Sequence, residues 1–268
     1  MPVPEGDSVF RIAARLRPQL VGRRIVSGEL RSGGAAGTSL AGWTIRAIET
    51  HGKHLVTWLD PGFALHTHLL MQGSWTVTRA GRTLPARVMS AVRVRAELDD
   101  GASLWGVDMP VVELLRAAAV APALDHLGPD PLREDWDAHE AVRRLRARPQ
   151  RSFVGALLDQ RNIAGLGNLW VNELAFLSGA HPFDPVSVVD TADLVARAAR
   201  ALRLSATVPG MYQVTTGSSR RGHAHWVAGR AGRPCLRCGT RVIVRAEVHG
   251  DPERRRTWWC PSCQPRRG

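Results

Sequence analysis

Leu157-Leu158-Asp159-Gln160-Arg161-Asn162-Ile163-Ala164-Gly165-Leu166-Gly167-Asn168, running on to Glu173, is the stretch on which the fold turns. An apolar helix runs into a Gly-x-Gly turn, and a second helix starts near Asn168. The first turn of a helix leaves backbone N–H groups without intrahelical partners, and glycine lets a phosphate come close to them. Asn168 can therefore cap the second helix or donate to a phosphate. Read alone, the stretch reads more readily as a helix–turn–helix contact within a core.

On either side the pattern changes. After Pro129-Asp130-Pro131 the chain is helical, over roughly Ala138–Ala147, Phe153–Gln160, Leu169–Ser178 and Ala192–Leu204. Toward the N-terminus, from Arg24 to Glu113, short strands alternate with Gly-Gly, Asp-Gly and Pro-Gly punctuation. Ile45–Glu49, Leu55–Leu59, Ala64–Leu70 and Trp75–Thr78 are examples, and they predict a β-sandwich or barrel. Before them, Val9, Phe10, Ile12, Ala13, Leu16 and Leu20 fall at helical spacing, with Asp7 or Ser8 as the expected cap. The Gly-, Ser- and Arg-rich segment from Thr215 to Arg233 reads as a loop or linker.

Beyond that segment lie all four cysteines, in Cys235-x-x-Cys238 and Cys260-x-x-Cys263. Each pair can form a knuckle offering two thiolates, and four thiolates suit one tetrahedral structural zinc ion. Arg241–Val248 and Arg256–Trp259 read as a hairpin between the knuckles. Disulfides are the alternative, and a reducing cytosol disfavours them. Arginines at the hairpin tip would point this unit at DNA.

The net charge of +12 asks for a polyanionic partner, most simply nucleic acid. Arg143, Arg144, Arg146, Arg148 and Arg151 form one basic group, and Arg254, Arg255 and Arg256 another. Lys53 is the only lysine in a chain that otherwise writes arginine, which suggests that a compact ammonium is needed there. No apolar run approaches the ~18 residues of a membrane span, and no secretory apolar region opens the chain. A cytoplasmic protein without a membrane partner is expected. No acidic or histidine cluster with convincing metal-ligand spacing supports a metal-dependent nuclease.

The chain opens Met1-Pro2-Val3-Pro4-Glu5-Gly6-Asp7. A free N-terminal proline is a secondary amine that can attack a sugar C1′ and form an iminium, with a neighbouring carboxylate moving protons. Alternatively, Pro-x-Pro is only a stiff lead into the helix.

Pro-Glu-Gly-Asp before the first helix, His51-Gly52-Lys53-His54-Leu55, the Leu158–Asn168 segment and the four-cysteine finger occur in that order. The set resembles the formamidopyrimidine-DNA glycosylase and endonuclease VIII family across essentially the whole chain. The resemblance implies an α+β fold with an N-terminal β-sandwich, a helix-two-turn-helix domain and a C-terminal four-cysteine zinc finger. The expected parts are residues 1–128, 129–228 and 229–268, forming a monomer that binds damaged DNA in the cleft between domains. Matched by motif, Pro4 is the nucleophile, and Glu5 is the general acid/base that opens the deoxyribose. Lys53 contacts the phosphate beside the lesion. Asn168 and Arg255 grip flanking phosphates. Base excision and strand nicking by β,δ-elimination are the implied reactions. The alternative is a non-catalytic damaged-DNA-binding protein on the same scaffold.

A flipped nucleotide leaves a hole in the duplex that the protein must fill. Leu70-Met71-Gln72 matches the endonuclease VIII wedge in position, with core packing as the competing reading. The formamidopyrimidine branch places an Arg–Phe wedge near residues 107–113, where this chain reads Val107-Asp108-Met109-Pro110-Val111 and lacks it. Oxidised pyrimidines are the expected substrates. Removal of Met1 exposes Pro2, which leaves Pro4 as an amide. Since GTG encodes valine and can initiate translation, Val3 is the expected initiator and Pro4 the mature N-terminus. Initiation at Met1 would leave Pro2 acting from a displaced position, or a protein that binds without cutting.

Overall fold

The computed structural model describes residues 4–251 and 254–267. Two compact units emerge: Ser8–His126, and a second that joins the segment ending at Asp7 to the chain from Leu127 onward.

The first unit takes α1 (Gly6–Leu20) from Ser8 onward, followed by β1 (Ile25–Leu30), β2 (Thr44–His51), β3 (His54–Asp60), β4 (Phe63–His68) and β5 (Ser74–Thr78). A short α2 (Ala86–Met89), β6 (Val92–Leu98), β7 (Ser103–Val107), β8 (Val111–Arg116) and α3 (Ala117–Leu124) complete it. The strands make two antiparallel sheets, ordered β1-β6-β7-β5 and β2-β3-β4-β8. In β6, Val92, Val94, Ala96 and Leu98 are buried while Arg93, Arg95 and Glu97 are more open, the period-two signature of a sheet with one face inward. One core gathers Ile45, Leu55, Leu65 and Val94 from the two sheets with Val9, Ala13, Leu16 and Leu20 of α1. The expected β-sandwich is this unit.

The second unit holds α4 (Ala138–Arg146), α5 (Phe153–Leu158), α6 (Asn168–Leu177), α7 (Thr191–Thr207) and the hairpin β9 (Ile243–Arg245) with β10 (Thr257–Trp259). Capping fixes three of its helix starts. Asp137, Ser152 and Asp190 accept from the N–H groups of Glu140, Gly155 and Ala192. Phe153, Leu157, Leu166, Trp170, Leu174 and Leu202 are fully buried in its core.

Several boundaries differ from the sequence expectation. Helix α1 starts at Gly6, so neither Asp7 nor Ser8 is a cap; Asp7 lies inside the first turn, buried, and accepts from Ser205 Oγ. Strand β4 stops at His68 because the chain turns at Leu70, which has a φ of +45°. Helices α2 and α3 were not anticipated: α2 is one turn long, and Pro122 sits within α3. The Thr215–Arg233 stretch has no regular element, yet it is no free linker. Glu173, fully buried on α6, accepts from the N–H groups of Trp226, Val227 and Ala228 and from the Thr215 hydroxyl.

Candidate active site and nucleic-acid interface

Glu5 is 1% exposed, and its carboxylate closes the N-terminus of α6. Gly167 N–H donates to Oε2 at 2.9 Å, Leu169 N–H to Oε1 at 2.7 Å, and Trp170 N–H to Oε2 at 3.4 Å. A negative group at this position also meets the positive end of the helix dipole. The N-cap residue, Gly167, has no side chain to do this work. The glycines make the approach possible. A Cβ at Gly6 would lie 2.7 Å from Gly165 Cα, and one at Gly167 would lie 2.4 Å from Glu5 Cδ. Gly6 N–H also donates to Gly165 O at 2.9 Å, so Pro4-Glu5-Gly6 is laid along the Gly165–Gly167 turn.

Glu5 takes the N–H groups at this helix start, which favours the reading of the stretch as a contact within a core over direct phosphate binding by those groups. Asn168 is not its cap either. Asn168 is the first helical residue, and its Nδ2 donates to Arg256 O at 2.9 Å. One turn on, buried Asn172 accepts from Trp258 N–H at 2.8 Å and donates to Asn168 O at 2.6 Å. Sequence reasoning missed Asn172 and the role of Glu173, because only the fold brings residues 213–258 to α6. Pro4 is half-buried; Pro2 and Val3 lie outside the described residues.

In the finger, the four cysteine sulfurs lie within 4.8 Å of one another, with Cys235–Cys263 at 4.0 Å and Cys238–Cys260 at 3.5 Å. A tetrahedron of thiolates at a metal–sulfur distance of ~2.3 Å has edges of roughly 3.8 Å, so the donor set fits a tetrahedral ion. Hydrogen bonds from Thr240 pull the Cys238 thiol down to about 6, while burial pushes the Cys260 and Cys263 thiols up. Gln264 ties the knuckle to the helices by accepting from Cys260 N–H and donating to Ala180 O. The hairpin between the knuckles is shorter than expected, and Arg254, Arg255 and Arg256 are exposed beside it. Arg255 pairs with Glu247 at 3.1 Å. Of the other arginine group, Arg143 and Arg144 both clasp Glu140, holding its carboxyl at about 2, and Arg151 pairs with Asp159.

Lys53 and Leu70–Gln72 belong to the sandwich unit. Lys53 sits in the tight turn between β2 and β3, where Gly52 has a φ of +57°. Burial, and then the Lys53 charge, hold the His68 imidazole down to about 4. Leu70 is 48% and Met71 64% exposed, and Gln72 is exposed with them; the core takes Leu69 instead. The core-packing reading of Leu70 and Met71 therefore fails. Between Val107 and Val111 only Asp108-Met109-Pro110 link β7 to β8, and Met109 is buried.

Comparison with known proteins finds relatives along nearly the whole chain. The family profile described as formamidopyrimidine-DNA glycosylase N-terminal domain matches residues 3–110, and the one described as formamidopyrimidine-DNA glycosylase H2TH domain matches residues 127–206. The chain is 41% identical over 264 residues to a probable endonuclease 8 2 of Streptomyces coelicolor, covering 98% of this chain and 94% of that one. It is 38% identical to the DNA-(apurinic or apyrimidinic site) lyase Nei2 of Mycolicibacterium smegmatis, covering 98% and 99%. Among solved structures, Lactococcus lactis Fpg (MutM) bound to DNA containing an N7-benzyl-Fapy-dG superposes with a TM-score of 0.78 at 25% identity, covering 98% of this chain and 100% of that one.

Proposed function

The chain belongs to the formamidopyrimidine-DNA glycosylase and endonuclease VIII family, and from that membership we propose that it is a base-excision-repair DNA glycosylase and abasic-site lyase acting through Pro4. The observation that carries this reading is the Glu5 carboxylate, buried and fixed by three backbone donors one residue after Pro4. A proton-transfer group held without rotational freedom beside a nucleophile is what sugar-ring opening requires.

In the proposed reaction, the Pro4 amine attacks C1′ of the damaged nucleotide and the base leaves. Glu5 moves protons as the sugar ring opens to the iminium. Elimination at the β and then the δ position releases both flanking phosphates and nicks the strand. Lys53, Asn168 and Arg255 are the proposed phosphate contacts. The zinc ion would be held by Cys235, Cys238, Cys260 and Cys263 and would supply no chemistry, only a fixed hairpin for Arg255.

Oxidised pyrimidines are the proposed substrates. The exposed Leu70-Met71-Gln72 loop supports an endonuclease VIII-type wedge, and the three-residue β7–β8 link offers no second one. We retain the three-part division at residues 1–128, 129–228 and 229–268, a monomeric state and a cytoplasmic place of action as parts of the proposal. Among the described residues no helix is long and apolar enough to cross a membrane.

Borohydride trapping tests the reading. Protein whose mature N-terminus is Pro4 is expected to crosslink to duplexes carrying an oxidised pyrimidine, whereas protein beginning at Met1 traps poorly because its Pro4 nitrogen is an amide. Equal trapping by the two forms would overturn the assignment of Pro4 and point to Pro2 or Lys53. No trapping by either form would favour the binding-only alternative.

A further inference from the structure

The sheet β2-β3-β4-β8 turns Leu55, Leu65 and Val112 into the sandwich core, and the opposite face carries a polar cluster beside Val56 and Ala64. On that face His54 pairs directly with His68 across β3 and β4, and His66 pairs directly with Glu113 across β4 and β8. The side chains form a hydrogen-bonded chain. His66 Nδ1 lies 2.8 Å from Glu113 Oε2, and His66 Nε2 lies 2.8 Å from His54 Nδ1. Glu113 is half-exposed at one end, while His66 is buried in the middle.

Neutral rings admit one arrangement of protons along this chain. The Glu113 carboxylate only accepts, so His66 donates from Nδ1. The His66 Nε2 lone pair then accepts from His54 Nδ1–H. Burial first, and then the charges of His68, His66, His126 and His51, hold His54 down to about 3, so its ring is neutral. His54 meets His68 edge-on, with ring centroids 4.8 Å apart. His68 Nδ1 in turn accepts the Leu70 N–H at 3.0 Å, which fixes the proton of a neutral His68 on Nε2. Leu70 is the residue with φ of +45° that opens the exposed Leu70-Met71-Gln72 loop. A non-glycine residue in that region needs such outside support.

We propose that Glu113 and His66 are positioning residues for lesion recognition: through His54 they orient His68, which pins Leu70 and presets the wedge loop before DNA arrives. The inference rests on the reading of Leu70–Gln72 as the wedge. It assigns a role to three side chains that the proposed reaction does not itself use.

The test compares Glu113→Leu, His66→Phe and the conservative Glu113→Gln, which keeps an acceptor oxygen for His66. On duplex DNA carrying an oxidised pyrimidine, Glu113→Leu and His66→Phe are expected to lose roughly 10-fold or more in kcat/KM, below the 10²-fold that a ~1 Å misplacement can cost. Glu113→Gln is expected to retain most of the activity. On a single-stranded oligonucleotide with a preformed abasic site there is no duplex hole to fill, and all three variants are expected to cleave like the parent. Equal losses on both substrates, no loss on the duplex, or failure of Glu113→Gln to rescue would overturn the proposal. Imidazole ¹⁵N spectra give a readout that does not depend on activity. Protons on Nδ1 of His66 and Nε2 of His68 are expected, and a His66 proton on Nε2 overturns the chain. If the parent protein cleaves neither substrate, the glycosylase reading fails while the spectra still judge the network.

Discussion

Glu5 Oε1 accepts the backbone N–H of Leu169 at 2.7 Å across 164 residues of sequence. The glycine at 167 is needed for this contact and not for backbone freedom, since its φ of −125° suits any residue. Gly167→Ala would push a methyl group to 2.4 Å from Glu5 Cδ. Base excision is expected to fall about 10²-fold, the scale of a ~1 Å misplacement. Glu5→Gln is expected to block excision yet still cut a ready-made abasic site. The two changes act on one group, so the double variant should be little worse than Glu5→Gln alone. Additive losses in single-turnover assays would mean that Gly167 acts elsewhere.

Lys53→Arg keeps the charge and changes its shape. A planar guanidinium on the short β2–β3 turn cannot put its charge where a compact ammonium sits. Strand cleavage is expected to drop by roughly 10² or more. Near-normal turnover would show that Lys53 is a lysine retained by chance.

One zinc per chain is expected from metal analysis. Cys238→Ser removes one of the four thiolates and loosens the hairpin that carries Arg255. Losing one charge-assisted phosphate contact costs ~1.5–3 kcal/mol, so DNA affinity should weaken by roughly 10- to 100-fold. Helix content by circular dichroism should hold, because the main core of α4–α7 does not use the cysteines, which pack on α6 through Phe176. Active protein free of zinc would contradict the assignment.

Acid should destabilise the fold through its histidines. His54 and His68 are held down to about 3 and about 4, chiefly by burial, against an ordinary 6.5 in the unfolded chain. As pH falls below 6.5 the unfolded chain takes up protons that the folded one refuses, and stability drops until the folded values are reached. Urea midpoints at pH 7 and pH 5 measure this. His54→Leu is expected to flatten the difference, and an unchanged slope would show that His54 is not the source.

The succession of a first helix, a strand-rich sandwich and a helical part was legible because hydrophobic residues at helical spacing mark α1 and turn residues punctuate the strands. The finger was legible because its four cysteines come as two close pairs. The role of Glu5 at the α6 N-terminus was not, since a cap normally lies next to its helix in sequence and this one lies at the other end of the chain. The Thr215–Arg233 segment misled for a related reason. Its glycines and serines look like a linker, while the acceptor for its N–H groups, Glu173, sits on a helix about fifty residues earlier. The His54–His66–Glu113 chain needs strand register, which composition does not encode. Leu70 and Met71 separated from core leucines only once the turn after His68 placed them outside.

Asn172 and Gln264 bear on whether the finger can be treated as a cassette. Each supplies one side-chain acceptor to a finger backbone N–H, Trp258 in one case and Cys260 in the other. A finger transplanted from a relative would bring its own cysteines, arginines and counterpart of Gln264, but its backbone donor would have to meet the Asn172 amide left behind on α6. Deleting the finger from Cys235 onward would leave the Asn172 oxygen facing no donor in a site that is fully buried in the intact chain. Exchange between family members should therefore succeed when α6 travels with the finger and fail at a junction drawn through the glycine-rich stretch, where the sequence invites the cut.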